Sequence, residues 1–278
     1  MSEEISNNAL APVGVFDSGV GGLTVAREIM RQLPNEKIVY FGDTARVPYG
    51  SKSKDTILRY SRQIVRFLKT KNVKAIVVAC NTASALALEE IRDEIDMPII
   101  GVVKPGAKVA VEKTINKRIG VIATEATINS HIYTDYIKNR DNDITVFSKA
   151  CPLFVPLVEE MWLKDSVTEE VAGRYLENLK EEHIDTLVLG CTHYPLLRNM
   201  IGNIMGESVT LVNPAYETAV SLGELLVKNN LSAGNVYSYS GEMYDFYVSD
   251  AAEKFKRFAN SILPFRIENI SQINIEEY

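Results

Sequence analysis

Two cysteines occupy equivalent places in the chain, each at the end of a short apolar run. Cys80 follows Ala75 to Ala79, and Cys191 follows Thr186 to Leu189 and one glycine. Such runs are typical of strands buried in a parallel sheet, and ligands of open α/β sheets bind where strands end. A thiol there lies beside the free N–H groups of a helix start, which lower its pKa towards neutrality. Either cysteine alone can be a packing residue, but the pair suits proton transfer at one carbon from two sides.

His193 stands two residues after Cys191. An imidazole beside a thiol can stabilise the thiolate or relay its proton. A carboxylate from Glu159 or Glu160 can orient that ring, although a solvated helix end is the ordinary role of such residues. A metal site is the alternative, but the other candidate ligands lack the spacing of zinc ligands. They are Cys151, His131 and His183. We therefore expect no metal.

A glycine-rich turn follows the first apolar run, with the sequence VFDSGVGGL from Val15 to Leu23. It has neither the GxGxxG nor the Walker spacing, and the carboxylate of Asp17 would repel a phosphate. An ammonium group or a thiol proton is a better partner for Asp17. Asp17 or Ser18 can also cap the helix that follows, and both roles can coexist.

A second loop runs from Phe41 to Ser51, with the sequence FGDTARVPYGS. Its proline and glycine content predicts irregular backbone with exposed N–H groups. Such groups can hold a carboxylate. The composition alone is common among loops, so the pattern does not name a ligand.

Short β-branched runs alternate with amphipathic segments along most of the chain, which predicts an α/β fold with buried parallel strands. The predicted helix Asp55 to Lys71 is amphipathic, as a helix that covers a sheet would be. The predicted strands are Val13 to Phe16, Ile38 to Phe41, Ala75 to Ala79, Ile99 to Val103, Ile119 to Ala123, Ile144 to Phe147, Thr186 to Leu189 and Val209 to Val212.

The two halves of the chain resemble each other in order and spacing. Asp17 precedes Cys80 by 63 positions (80 minus 17), and Thr124 precedes Cys191 by 67 (191 minus 124). A duplicated unit predicts two pseudo-symmetric lobes with one cleft between them. We expect a disordered leader over 1–11, a first lobe from 12–103 plus 214–278, and a second lobe from 104–213. The helix-like segments Ala215 to Lys228 and Ala251 to Ser261 would complete the first lobe.

Composition excludes several classes of protein. The 278 residues carry a net charge of -6, with a sequence pI near 5.3 and scattered basic residues, which argues against nucleic acid as a partner. Three distant cysteines without a CxxC motif favour free thiols in a reducing compartment. The polar start is unlike a signal peptide, and no apolar run is long enough to span a membrane. We expect a cytoplasmic protein.

Taken together, the motifs resemble those of glutamate racemases over about Pro12 to Leu226. They are FDSGVGGL, YFGDTARVPYG, ACNTASA, IGVIAT, CPLFVPLVE and LGCTHYPLL, in that order. The resemblance implies a two-lobed racemase fold and cofactor-free interconversion of L- and D-glutamate. It also implies a supply of D-glutamate for bacterial peptidoglycan and, as in many relatives, a homodimer.

The resemblance also implies roles for individual residues. Cys80 and Cys191 take the positions of the two catalytic thiols. Asp17 would assist Cys80, and His193 with Glu159 would assist Cys191. The expected substrate contacts are Asp17, Ser18, Tyr49, Gly50, Asn81, Thr82, Thr124, Thr192 and His193. There is one departure: this chain has Asn213 where many relatives carry Asp before Pro-Ala.

Two alternatives remain open at this point. One is a racemase for aspartate or another small acid, since the thiols define the chemistry while the pocket defines the substrate. The other is a two-lobed protein that binds an amino acid without chemistry, with both cysteines as packing residues. The racemase alternative predicts a higher specificity for aspartate or another small acid than for glutamate. The binding-protein alternative predicts binding without exchange of the α-proton.

Overall fold

The structure is a computed structural model that describes residues 8–234 and 243–278. Six strands form the first sheet in the order β10-β9-β2-β1-β3-β4, and every neighbouring pair is parallel. These strands are β1 Val13–Asp17, β2 Ile38–Gly42, β3 Ala75–Val78, β4 Ile99–Gly101, β9 Tyr244–Val248 and β10 Ser271–Gln272.

A second parallel sheet has the order β6-β5-β7-β8. Its strands are β5 Arg118–Ala123, β6 Thr145–Ala150, β7 Thr186–Gly190 and β8 Thr210–Val212. The order β2-β1-β3-β4 in the first sheet repeats as β6-β5-β7-β8 in the second. The two cysteines therefore follow equivalent strands, β3 and β7. The predicted α/β class with two similar parallel sheets is confirmed.

Helices flank both sheets and connect strands that are successive in the chain. They are α1 Leu23–Gln32, α2 Lys54–Thr70, α3 Asn81–Leu86, α4 Leu88–Asp93, α5 Val103–Lys113, α6 Glu125–Asn129, α7 Ile132–Arg140, α8 Phe154–Glu159, α9 Ser166–Glu181, α10 Arg198–Met205, α11 Pro214–Lys228 and α12 Ala252–Ile262. The short segments Tyr49–Ser51, Tyr194–Leu197 and Ile275–Glu277 are 3₁₀ helices. Among the described residues, no helix has the length and apolar character needed to cross a membrane.

The central strands are buried on both faces. In β1, Val13 and Val15 pack into a cluster that also includes residues of the second sheet, whereas Phe16 packs into a cluster on the opposite face with Phe41. Strands β1, β2, β3 and β7 contain only buried residues. This burial explains why continuous apolar runs, rather than alternating ones, marked them in the sequence. Because β3 and β7 are buried, the positions of Cys80 and Cys191 at their ends are well defined.

The residues after 213 return to the first sheet. Helix α11 packs against both α1 and α5, and β9 pairs with β2. At the start of α11, the side-chain oxygen of Asn213 accepts a hydrogen bond from the N–H of Ala215 at 3.1 Å. Either Asn or Asp can cap a helix in this way. The departure from Asp at this position is therefore compatible with the fold.

The predicted disordered leader is only partly within the described residues. Residues 1–7 lie outside them. Residues 8–11 form a turn instead, in which Ala9 is buried and its carbonyl accepts a hydrogen bond from Lys74 at 2.5 Å. Burial of Ala9 and pairing with a buried lysine explain why this part of the expected leader is ordered. The proposed lobes, 12–103 plus 214–278 and 104–213, each contain one whole sheet.

Candidate active site

Cys80 lies where β3 ends and α3 begins. Its sulfur accepts a hydrogen bond from the N–H of Ala83 at 3.5 Å, so Cys80 itself is the N-terminal cap of α3. Asn81 and Thr82 already lie within the first turn of this helix. The Cys80 thiol donates a hydrogen bond to the hydroxyl oxygen of Ser18 at 3.8 Å. Ser18 follows β1, the strand beside β3, which brings the two side chains together.

Cys191 follows β7 and has a different set of partners. Its sulfur lies 3.7 Å from Nδ1 of His193, and Nε2 of the same ring lies 3.2 Å from Oε1 of Glu159. Glu160 faces solvent, and its carboxylate lies 3.7 Å from Lys254. Of the two candidate carboxylates, Glu159 therefore contacts the imidazole. Thiol, imidazole and carboxylate form a continuous chain at the end of the second sheet.

Both sulfurs border one cavity of about 300 Å³, whose walls come from elements of both sheets. Such a volume is at the lower end of the range for small-molecule sites. The lining residues that the sequence singled out are Ser18, Tyr49, Gly50, Cys80, Asn81, Thr82, Thr124, Glu159, Cys191, Thr192 and His193. Further lining residues, to which the sequence assigned no individual role, are Gly19, Val47, Pro48, Ser51, Glu125, Pro152, Val155 and Pro156.

Asp17 is close to this cavity without lining it. Its side chain is fully buried, one carboxylate oxygen accepts a hydrogen bond from Gly19 N–H at 3.0 Å, and the other has no hydrogen-bond partner among the described residues. Helix α1 begins only at Leu23, with Gly22 at the cap position, so Asp17 and Ser18 do not cap it. An unpartnered buried carboxylate oxygen is costly in a structural role. Asp17 is therefore a candidate functional residue.

The model of the Asp/Glu/Hydantoin racemase family matches residues 13–222 of this chain. That range includes both cysteines and strands β1 to β8. The chain belongs to this racemase family. A relative named glutamate racemase, from Geobacter metallireducens, is 47% identical over 266 residues. The alignment covers 95% of this chain and 97% of that racemase.

Solved racemase structures share the fold over nearly the whole chain. A glutamate racemase from Bacillus anthracis matches with a TM-score of 0.90 and 39% identity, covering 95% of this chain and 97% of that one. A glutamate racemase from Francisella tularensis, solved in complex with D-glutamate, matches with a TM-score of 0.89 and 38% identity. That match covers 97% of this chain and 100% of the other.

The first thiol of this racemase family member is protonated at neutral pH. Burial raises the pKa of Cys80 to about 12, and the negative charge of Asp17 adds to the rise. The N–H of Ala83 and the hydroxyl of Ser18 oppose it without overcoming it. The expectation of a lowered pKa is therefore wrong for Cys80. Burial outweighs the effect of the helix start.

The second thiol lies beside a cation. Burial lowers the pKa of His193, but its hydrogen bonds to Cys191 and Glu159 outweigh burial and raise this pKa to about 10. Burial raises the pKa of Glu159, yet the hydrogen bond and charge of His193, with the charge of Lys254, bring it below its ordinary value. His193 and Glu159 are thus an ion pair at neutral pH.

Hydroxyl groups and close contacts join the two halves of the racemase, which contain the first and the second sheet respectively, around the cavity. Thr82 lies 3.0 Å from Thr124 and 3.3 Å from Thr127, measured between hydroxyl oxygens. The carbonyl of Thr192 accepts a hydrogen bond from Thr24 at 2.8 Å. A Cβ atom added to Gly50 would lie 2.8 Å from Cβ of Thr124. Glycine is therefore required here by the close approach of the halves.

The loop that carries Tyr49 and Gly50 is fixed by a residue that sequence reasoning left without a role. The hydroxyl of Tyr49 donates to Asp43, which also accepts from Arg46 at 2.7 Å and from Ser249 at 2.8 Å. Tyr49 is buried, and the proton of its hydroxyl is already donated to Asp43. Asp43 belongs to the same GDTARVPYG motif. That membership is the one signal that could have identified it.

The remaining candidate metal ligands do not join the site. His131 precedes α7, His183 follows α9, and Cys151 is buried near the start of α8. In the described part of the chain, no three His, Cys, Asp or Glu side chains are grouped so as to hold a metal ion. The three cysteines are free thiols.

Proposed function

We propose that this family member is a cofactor-independent glutamate racemase in which Cys80 and Cys191 act on opposite faces of the substrate α-carbon. One observation carries the proposal. Two thiols at the ends of equivalent strands border the same small cavity, and each has its own polar partners. The relatives named glutamate racemase, one of them solved with D-glutamate, support glutamate as the substrate.

Inversion without a cofactor requires removal of the α-proton from one face and delivery of a proton to the other. With L-glutamate, the Cys191 sulfur takes the α-proton, and the Cys80 thiol gives its proton to the opposite face. With D-glutamate, the Cys80 thiolate takes the proton, and the Cys191 thiol supplies one. Each half-reaction leaves one thiol and one thiolate, so the two forms of the enzyme interconvert with the substrate enantiomers.

Separate partners serve the two sulfurs in this mechanism. The imidazolium of His193 stabilises a negative Cys191 sulfur by its charge, and Glu159 keeps that ring oriented. On the other side, the pKa of Asp17 is raised above its ordinary value, mainly by burial. A carboxylate with a raised pKa can hold a proton from Cys80. In this mechanism Asp17 exchanges a proton with Cys80 and does not itself contact the substrate.

Polar groups of the cavity wall would hold the substrate carboxylates and stabilise the carbanion. The side chains of Asn81, Thr82 and Thr192 lie beside the sulfurs and can donate hydrogen bonds. Donors in a site that excludes water stabilise developing charge more strongly than donors in bulk water. Tyr49 and Gly50 form another part of the wall. Since the Tyr49 hydroxyl is engaged by Asp43, we assign substrate contact in this loop to its backbone.

Circular dichroism on the purified protein tests this proposal. We expect L- and D-glutamate each to reach the same racemic mixture without added pyridoxal phosphate, and also in the presence of a chelator. Cys80→Ser and Cys191→Ser should each abolish turnover. Cys151→Ser is the matched control, because Cys151 is buried outside the cavity and a serine there can keep the hydrogen bond to the Lys149 carbonyl. Normal turnover in either of the first two variants would contradict the mechanism.

Racemisation of aspartate and not of glutamate would instead favour the alternative substrate. Binding of glutamate without any racemisation would favour the binding protein. As a glutamate racemase, the enzyme would supply D-glutamate for peptidoglycan, and we place it in the cytoplasm, where thiols remain reduced.

A further inference from the structure

Tyr133 makes a buried hydrogen bond across the two halves of the molecule. It lies in α7, which follows the second sheet's strand β5, and its hydroxyl donates to the side-chain oxygen of Asn81 at 2.7 Å. Asn81 directly follows Cys80 at the end of the first sheet. Both side chains are nearly inaccessible, with 3% of Tyr133 and 4% of Asn81 exposed. The bond therefore connects a helix of one half with the thiol-bearing turn of the other.

This bond determines which way the Asn81 amide faces. A neutral phenol has one proton to donate, and the amide offers one acceptor and one NH₂ donor group. Burial, followed by the charge of Cys191, raises the pKa of Tyr133, so the phenol stays a donor at every working pH. If the amide were reversed, its NH₂ group would face the phenol, and the phenol proton would lose its acceptor. The observed orientation keeps both groups paired.

The orientation leaves the NH₂ group of Asn81 free for a ligand. Asn81 lines the cavity, and within residues 8–234 and 243–278 no protein group accepts a hydrogen bond from its NH₂. That nitrogen is also not among the buried polar atoms without a partner. It therefore reaches the cavity space, where two amide protons are presented beside the Cys80 sulfur. A carboxylate is the complementary ligand.

We propose that Tyr133 is a positioning residue, which holds the Asn81 amide so that its NH₂ group donates to a carboxylate of the bound substrate. The inference rests on the proposed function and adds a residue that the sequence motifs do not include. Tyr133 touches neither the substrate nor the sulfurs in this account. It acts through Asn81, and it does so only while the two halves are closed around the cavity.

Tyr133→Phe tests the proposal with little risk to the fold, because the ring can keep its packing beside Gly190. Without the phenol proton, the Asn81 amide can reverse. We expect KM for glutamate to rise about tenfold, as for the loss of one hydrogen bond to a charged group, while kcat changes much less. Tyr136→Phe is the matched control: its hydroxyl also crosses between the halves, to Glu89 at 3.0 Å, but at the surface. Its KM should stay unchanged.

A double-mutant cycle with Asn81→Ala decides whether Tyr133 acts through Asn81. We expect Tyr133→Phe to have no further effect on KM once Asn81 is alanine. Unchanged KM in Tyr133→Phe, or fully additive effects, would overturn the inference, whatever the change in melting temperature. Failure of the wild type to racemise glutamate would instead overturn the proposed function. The two failures are therefore distinguishable.

Discussion

At the scale of single residues, the two thiols differ in their surroundings although their positions in the fold are equivalent. Cys80 has a hydroxyl and a backbone N–H as partners, with a carboxylate nearby, whereas Cys191 lies 3.7 Å from an imidazole. The first is a neutral thiol and the second has a cation beside it. This is the arrangement that the proposed mechanism requires for L-glutamate.

Alkylation of the ligand-free enzyme should therefore discriminate between the two cysteines. Cys80 and Cys191 are similarly accessible, at 5% and 6% exposed, so reagent access is matched. Because the thiolate is the nucleophile and burial raises the pKa of Cys80, we expect iodoacetamide at neutral pH to modify Cys80 more slowly than Cys191, whose sulfur lies 3.7 Å from the imidazolium of His193. His193→Asn should slow the labelling of Cys191. Mass spectrometry of the peptides measures both rates, and faster labelling of Cys80 would contradict its assignment as a neutral thiol.

Glu159 and Glu160 provide a second comparison of neighbouring residues. Glu159→Gln removes a charge-assisted hydrogen bond to His193, worth roughly 1.5–3 kcal/mol, so we expect kcat/KM to fall by about tenfold or more. The pKa of His193 should also fall, since Glu159 contributes to its rise. The decline of activity at alkaline pH should then begin at a lower pH. Glu160→Gln, at an exposed site, should leave the whole pH profile unchanged.

Residues that follow strand ends could be identified from the sequence, because strand ends in a parallel sheet meet at one edge. This applies to both cysteines, Ser18 and His193. The protonation of Cys80 could not be predicted, since its burial depends on packing between the two halves. Tyr133 could not be predicted either. It lies within an ordinary helix, and its partner Asn81 is 52 residues away in the chain.

At the scale of elements, strands β1 to β8 agree with the predicted apolar runs, with ends that shift by a few residues. Strands β9 and β10 were missed. In β9 a charged residue, Asp245, interrupts the apolar pattern, and both residues of β10 are exposed. Strand β9 pairs with β2 and β10 pairs with β9, and local sequence patterns give no access to such long-range pairing.

The turn between β1 and α1 requires a glycine at position 21 because side chains of the other lobe approach it closely. A Cβ atom at Gly21 would lie 2.4 Å from Oγ1 of Thr192 and 2.5 Å from Cε1 of His193. We expect the added methyl group of Gly21→Ala to displace His193 or to hold the two lobes apart. Such overpacking costs about 1–3 kcal/mol, so kcat/KM should fall at least tenfold. The measurement is steady-state kinetics with both enantiomers.

Gly173 is the control, because it lies inside α9 and an added Cβ would meet nothing within 4 Å. Gly173→Ala should leave the kinetics unchanged and stabilise the fold by about 0.5–1 kcal/mol through the higher helix propensity of alanine. Full activity in Gly21→Ala would show that the halves need not approach so closely during catalysis.

At the scale of the whole molecule, the His193 ion pair makes stability depend on pH. The pKa of His193 is raised to about 10 in the folded protein, from 6.5 in the unfolded chain. Its contribution is therefore fully present below about pH 6.5 and is lost as pH rises towards 10. We expect the free energy of unfolding in urea to fall by about 2 kcal/mol between pH 7 and pH 8.5.

His193→Asn isolates this effect, since the variant keeps every other titrating group. Its stability should change less over the same pH interval than that of the wild type. The interval ends below pH 9 because the raised pKa values of Cys80 and Cys151, both about 12, add a further loss at higher pH. A steeper slope in His193→Asn would contradict the assignment of the imidazolium.

The central claim is that two bases act on opposite faces of one carbon, and solvent isotope incorporation tests it most directly. L-Glutamate is incubated with the wild-type enzyme in D₂O, and both enantiomers are analysed by mass spectrometry at low conversion. We predict that the D-glutamate formed carries deuterium at the α-carbon while the remaining L-glutamate keeps its original hydrogen. D-Glutamate that retains the original hydrogen, or equal deuterium in both enantiomers from the start, would contradict the two-thiol mechanism.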